Sequence, residues 1–211
     1  ALPTCEAELT DVLQKTEEIS KWCSKINDQY QQCHINYVAV CSRAAERQLL
    51  AGLSASDSLR LARERIDKLR KLGSNFLDAL QHMALSRLLE ARVLVQQGQD
   101  PLASLRDLDE IIKQCLAIAD KDAMCRTLDA QAQWVRADWD ASQARSPYTA
   151  LLLARDKATL ATLSPEPFPD AWWTLAESHL RLFREPSTRD TGRTELATAV
   201  TDALAKCFAI N

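Results

Sequence analysis

Apolar and small residues recur every three or four positions through most of this chain, and the stripes they form recur again every 46 residues. Ala84, Ala130 and Ala176 share one repeat position, and Leu88, Trp134 and Leu180 share another. In the segment that follows each of these, Leu105, Leu151 and Ala197 align, as do Leu108, Ala154 and Val200, and Cys115, Ala161 and Cys207. One step earlier, Val38, Leu59, Ala62 and Leu69 take equivalent places. The punctuation keeps the same period: Ser54, Asp100, Ser146 and Gly192 occupy one position, and each is a permitted helix N-cap. A fixed period of this size is the mark of stacked helical hairpins, because one hairpin cannot bury its apolar stripe alone.

The stripes predict the elements one by one. Leu9, Val12, Thr16, Ile19, Cys23, Ile26 and Tyr30 give an opening amphipathic helix with Glu6, Glu8 and Asp11 near its start. It stands outside the clean repeat and is expected to cover the open end of the stack. Helices follow over about 34–51 and 54–72, closed by Gly52 and Gly73. Phe76, Leu80, Met83, Ala84, Leu88, Ala91 and Val95 mark the next, before Gly98. Asp100-Pro101 starts its partner, whose buried face reads Leu105, Leu108, Ile111, Ile112, Cys115 and Ile118. Cys125 to Trp139, Leu151 to Leu163, Asp170 to Arg184 and Arg193 to Phe208 complete the set. The three prolines between Ser164 and Asp170 demand a loop, and no alternating run asks for a sheet.

The expected fold class is therefore all-α: a right-handed stack of antiparallel helical hairpins with repeats of about 46 residues. Residues 1–33 form the covering helix and residues 34–211 the four-hairpin repeat domain. An irregular bundle of long helices is the competing architecture. Leu88-Leu89-Glu90-Ala91-Arg92 through Gly98-Gln99-Asp100-Pro101, then Cys115-Leu116-Ala117-Ile118, resembles a tetratricopeptide hairpin. More narrowly, it resembles the degenerate repeats attached to bacterial serine/threonine protein kinases and related signalling proteins, over about Tyr37 to Ile210. Ala84, Ala130 and Ala176 match that family's small position. The resemblance implies a concave surface that binds a peptide or partner protein. The repeat is longer than that family's 34 residues, and no kinase catalytic segment is present.

Composition narrows the function classes. Only four glycines and seven prolines interrupt 211 residues, and a net charge of −3 gives no general pull towards nucleic acid or an anionic membrane. No apolar run is long enough to span a bilayer, so no membrane insertion is expected. Ala-Leu-Pro-Thr-Cys at the start carries no signal-peptide pattern. Seven cysteines exceed an ordinary cytosolic share and favour an exported or periplasmic setting over the cytoplasm. A turn near residue 32 would set Cys23 opposite Cys41, and one near residue 120 would set Cys115 opposite Cys125; both pairs are expected disulfides, with Cys207 a reduced core residue.

The chemistry-bearing residues do not form a recognisable active site. There is no Gly-rich phosphate loop, no His-Glu-x-x-His and no Cys-x-x-Cys, and His34, His82 and His179 lie far apart. No catalytic motif, metal site or cofactor is expected, and the basic residues between Leu59 and Lys71 are expected to solvate an outer helix face. Tryptophan is the better clue. Trp172 aligns with Leu80 and Trp173 with Gln81, which makes Trp173 the exposed member of the pair. Trp173, Glu177 and Arg181 share one helix face, and Gln131, Asp138 and Arg92 extend it into a mixed groove. The expected function is a non-catalytic protein- or peptide-binding scaffold or sensory module, accessory to bacterial signalling. The alternative is a small-molecule-binding domain or enzyme with a pocket between long helices.

Overall fold

The computed structural model describes residues 30–186 and 190–210, and before them Asp11, Gln14, Lys15, Glu18 and Trp22. Eight helices follow one another from residue 31 onwards: α1 (Gln31–Leu50), α2 (Ser56–Lys71), α3 (Leu77–Gln96), α4 (Leu102–Ile118), α5 (Ala123–Ser142), α6 (Tyr148–Thr162), α7 (Pro169–Arg184) and α8 (Asp190–Ala209). Among the described residues there is no strand. The fold is all-α, built of antiparallel helical hairpins in the tetratricopeptide-like manner. Its register is strict, because α1, α3, α5 and α7 begin at residues 31, 77, 123 and 169, each 46 after the last. Their partners α2, α4 and α6 begin at 56, 102 and 148 with the same step. The opening helix expected over residues 1–33 falls mostly outside the described residues. Asp11, Gln14, Lys15, Glu18 and Trp22 are helical and exposed, with Lys15 donating to Asp11 at 2.7 Å.

The helix ends explain the period. Gly52 (φ +72°) and Gly98 (φ +70°) are 46 residues apart, each in left-handed backbone just past its helix. Ala144 takes the third such position at φ 55°, although it carries a Cβ. In all three, the next amide donates back over the final turn: Leu53 to Gln48, Gln99 to Leu94 and Arg145 to Asp140, each at 2.8 Å. This is the six-to-one bond that satisfies otherwise unpaired carbonyls. Two residues beyond each turn position sits a polar side chain that starts the next helix. Asp100 Oδ1 accepts from the Leu102 amide at 2.8 Å, and the hydroxyls of Ser54 and Ser146 accept from Ser56 and Tyr148 at 3.4 Å. Pro101 and Pro147 follow their caps at the same offset.

The chain divides into two compact units, Ala1–Val93 and Leu94–Asn211. In the first, α1 and α2 pack as a hairpin, and Ile35, Val38, Cys41, Ala45, Ala62, Ile66 and Leu69 are buried. Leu80, Ala84, Leu88 and Leu89 of α3 are buried as well. In the second, α5 pairs with α6 and α7 with α8, while α5 also packs on α7, the contact between first helices of successive hairpins that stacking requires. Ala130, Ala158, Leu175, Ala176 and Ala203 make one apolar cluster with Trp172 and Leu204 against it. Ala137, Ala150, Leu151 and Leu182 make another, flanked by Tyr148, Leu152 and Leu196.

Three expected core positions are exposed. Phe76 is 61% exposed because α3 begins one residue later, and Ile118 is 53% exposed at the last residue of α4. Ala197 also faces outwards, and its neighbour Leu196 packs inwards instead. The last helix begins at residue 190, four ahead of the repeat, yet Cys207 near its end is buried as its equivalents Cys115 and Ala161 are.

Candidate functional site

Packing of α5 on α7 gathers four of the six residues singled out for partner binding. The centre is Arg181. Its Nη1 donates to Asp138 Oδ1 at 2.8 Å and its Nε to Glu177 Oε1 at 3.0 Å, while its guanidinium carbon lies 5.0 Å from the centre of the Trp134 ring. One cation thus holds two carboxylates and an aromatic face, each limiting the rotamers open to the others. Deeper in, Trp134 Nε1 donates to Ser178 Oγ at 3.0 Å, and the Ser178 hydroxyl donates to the Thr174 carbonyl at 2.8 Å. Gln131 Nε2 donates to Thr174 Oγ1 at 3.1 Å. The result is a polar seam whose inner members are buried and whose outer members, Asp138, Glu177 and Arg181, reach solvent.

Trp173 is 51% exposed one helical turn before Glu177 on α7. Its neighbour Trp172 packs on the apolar cluster of α5 to α8, with the Lys206 ammonium 4.6 Å from its ring centre. Arg92 belongs to α3 in the first unit, where it is half-buried. The role of Arg181 as the hub was not legible in the sequence, because two of its three partners, Asp138 and Trp134, lie 43 and 47 residues away on a different helix.

The basic residues of α2 do more than solvate an outer face. Arg63 forms an ion pair with Glu90 of α3, and Glu90 also accepts from Arg87 at 2.8 Å. Arg65 lies over the Tyr37 ring at 5.0 Å. Forty-six residues on, the same two positions hold the reverse charges: Arg136 donates to Asp109 at 2.5 Å. Beside this pair lies a pocket of about 470 Å³ between α4, α5 and α6, lined by Ile112, Leu116, Gln133 and the Asp129–Lys157 pair. At the third occurrence Arg155 finds Leu182 in the partner position and pairs with Asp156 instead. Burial holds the imidazole of His179 below its ordinary pKa, and Arg155 adds to that depression. Burial also lowers His82, against the opposing pull of Asp78 at 3.1 Å.

The expectation that the chain holds no recognisable catalytic motif and no metal-ligating set needs correction. Cys115, Asp122 and Cys125 place three potential ligand atoms within 4.8 Å of one another, a set able to coordinate a metal ion and a potential catalytic motif. Its members are spaced seven and three residues apart around the α4–α5 turn, unlike any familiar motif. Cys115 sits in the last turn of α4, and Cys125 is the third residue of α5. Asp122 is the N-cap of α5, its carboxylate accepting from the Cys125 amide at 2.7 Å. The two cysteines are joined as a disulfide, with Cα atoms 6.5 Å apart.

The expected Cys23–Cys41 bridge is a second correction. Cys23 lies outside the described residues, while Cys41 is fully buried within the first unit and takes part in no disulfide. Cys33, in the first turn of α1, is disulfide-bonded. Cys207 is a buried thiol that donates to the Pro169 carbonyl.

No protein family, curated protein or solved structure matches this chain.

Proposed function

We propose that this chain is a protein- or peptide-binding scaffold or sensory module, accessory to a bacterial signalling protein of the kind that carries degenerate tetratricopeptide repeats. The observation that carries the reading is Trp173, half exposed beside a ridge of charges already locked in place by Arg181. A large side chain with few rotamers anchors a partner at small entropic cost, and fixed charges around it select the partner's register. The residues assigned to this surface are Gln131, Asp138, Trp173, Glu177 and Arg181; Arg92 belongs to the other compact unit and is not assigned to it. The partner is a protein or peptide; a chain of net charge −3 offers nucleic acid little attraction. An exported or periplasmic setting accords with the disulfides at Cys33 and at Cys115–Cys125.

The alternative is a small molecule held between the long helices, and the α4–α6 pocket favours it. The α5–α7 face is preferred because Trp173 gives it an exposed aromatic anchor, which the pocket lacks. Affinity capture with wild type, Trp173→Ala and Glu177→Ala, all at equal helicity, tests the proposal. The expected result is a partner retained by wild type and lost from the Trp173 variant. Equal capture by all three, or a small molecule copurifying in the α4–α6 pocket with no protein partner, overturns it.

A further inference from the structure

We propose that the Cys115, Asp122 and Cys125 turn is a metal site in its reduced form. It would take one divalent ion of the zinc class through two thiolates and a carboxylate, so that α4 stays tied to α5 in either redox state.

The first argument is what the other repeats do with these positions. The places of Cys115 and Cys125 are filled by Leu69 and Ala79 one repeat earlier, and by Ala161 and Ala171 one repeat later. All six residues are fully buried. Packing at this junction is thus met by aliphatic side chains, and sulfur is not needed for it. The cap position tells the same story, since Phe76 and Phe168 stand where Asp122 does. Two repeats earlier the same places in the sequence are Cys23, Tyr30 and Cys33, so a sulfur pair recurs there without a carboxylate. Among the described turns, that between α4 and α5 alone joins two sulfurs to a carboxylate, and their ligand atoms converge within 4.8 Å.

The second argument is chemical. Reduction takes two electrons and two protons from a dithiol reductant, which leaves as its own disulfide, and yields two thiols at Cys115 and Cys125. A zinc ion then displaces both thiol protons to solvent and is held by two sulfurs and one carboxylate oxygen, with water as the fourth ligand. Zinc–sulfur bonds of about 2.3 Å require the two sulfurs to part to roughly 3.8 Å, the edge of a tetrahedron. Rotation about the side-chain torsions supplies that while the Cα atoms keep a separation near 6.5 Å. Two thiolates buried without compensation would be costly, and a divalent ion neutralises them. Cys125 is further favoured as a thiolate by its place in the first turn of α5. Soft ligands select zinc, or cobalt as its spectroscopic substitute, over magnesium or calcium.

The test uses the full chain reduced with a phosphine and titrated with Co²⁺. The expected result is one Co²⁺ per chain with a thiolate charge-transfer band and tetrahedral visible bands, all displaced by Zn²⁺. Oxidised protein should give none. Cys115→Ser should abolish the charge-transfer band. Asp122→Asn, which keeps a competent N-cap, should weaken binding by more than about tenfold. If reduction melts the helices, added Zn²⁺ should restore the helical circular dichroism. The proposal is overturned by a folded reduced chain that gives no bands, by bands that survive in Cys115→Ser, or by a melted chain that Zn²⁺ fails to refold.

Discussion

The junction between α2 and α3 and the junction between α4 and α5 are the same piece of architecture, displaced by 46 residues and filled with opposite chemistry. In the first, a cation on the second helix of one hairpin, Arg63, meets an anion on the first helix of the next, Glu90. In the second, the anion is Asp109 and the cation Arg136. At the buried positions of the first junction stand Leu69 and Ala79; at the equivalent positions of the second stands a disulfide. Backbone geometry therefore fixes where an interaction is made and leaves its sign and even its bond type open. The two ion pairs also differ in setting. Glu90 is nearly buried and shared by Arg63 and Arg87, whereas Asp109 is half exposed and serves Arg136 alone among the hydrogen bonds and ion pairs described above.

That difference predicts the largest contrast. Glu90→Ala withdraws the shared carboxylate from beside the buried Arg87 and should destabilise by about 3 kcal/mol, whereas Asp109→Ala should cost under about 1 kcal/mol. Equal losses by urea denaturation would show that the two junctions are electrostatically alike. Next in size is the disulfide. Replacing Cys115 and Cys125 together by serine should cost about 2–3 kcal/mol, from the lost restraint on a ten-residue loop and two hydroxyls in an apolar place. Replacing them by the Leu and Ala of the first junction should recover part of that loss, which a paired thermal-melt comparison would read directly.

Much of this was legible in the sequence, because a strict 46-residue register repeats caps and stripes together. Gly98 and Asp100-Pro101 announce a helix end and a helix start, and Ser146-Pro147 repeats the second half of that signal. Trp172 and Trp173 were separable for the same reason, as one lines up with the buried Leu80 and the other with Gln81. The contents of the sites were harder to read. Whether Arg63 turns out to water or across to Glu90 depends on a neighbouring helix 27 residues on, which periodicity within α2 does not describe. The Cys115, Asp122 and Cys125 cluster mixes two core positions with a cap, and helical periodicity places each residue singly without showing that the three converge. In the terminal helix the expected core position Cys207 is buried, while Ala197 is exposed and the helix starts at residue 190, ahead of the expected Arg193.

Smaller effects sharpen the comparison at the turns. Ala144 stands where Gly52 and Gly98 stand, in left-handed backbone, so Ala144→Gly should stabilise by about 1 kcal/mol and Gly98→Ala should destabilise by a similar amount. A loss from Ala144→Gly would mean that unfolded-state entropy outweighs the strain. The smallest effect belongs to the third junction, where burial and then the charge of Arg155 disfavour protonation of His179, and Leu182 leaves no ion pair in the position of Arg63–Glu90. The folded-state pKa of His179 lies below 6.5, so the unfolded chain binds the extra proton first. Stability from this residue is therefore present above the unfolded value and falls as pH drops from there through the folded pKa. His179→Gln should flatten the part of the melting-temperature profile on the acid side of pH 6.5, measured against wild type across that range.

The reversal of sign between Arg63–Glu90 and Asp109–Arg136 reaches beyond stability to how such a chain can be rearranged. Excising residues 77–122, one repeat length, would leave every turn and cap in phase and bring a helix equivalent to α3 up against α2. The residue then facing Arg63 would be Arg136, a like charge where the fold expects a partner. The hairpins are interchangeable in shape and not in polarity, so their order along the chain is written in charge.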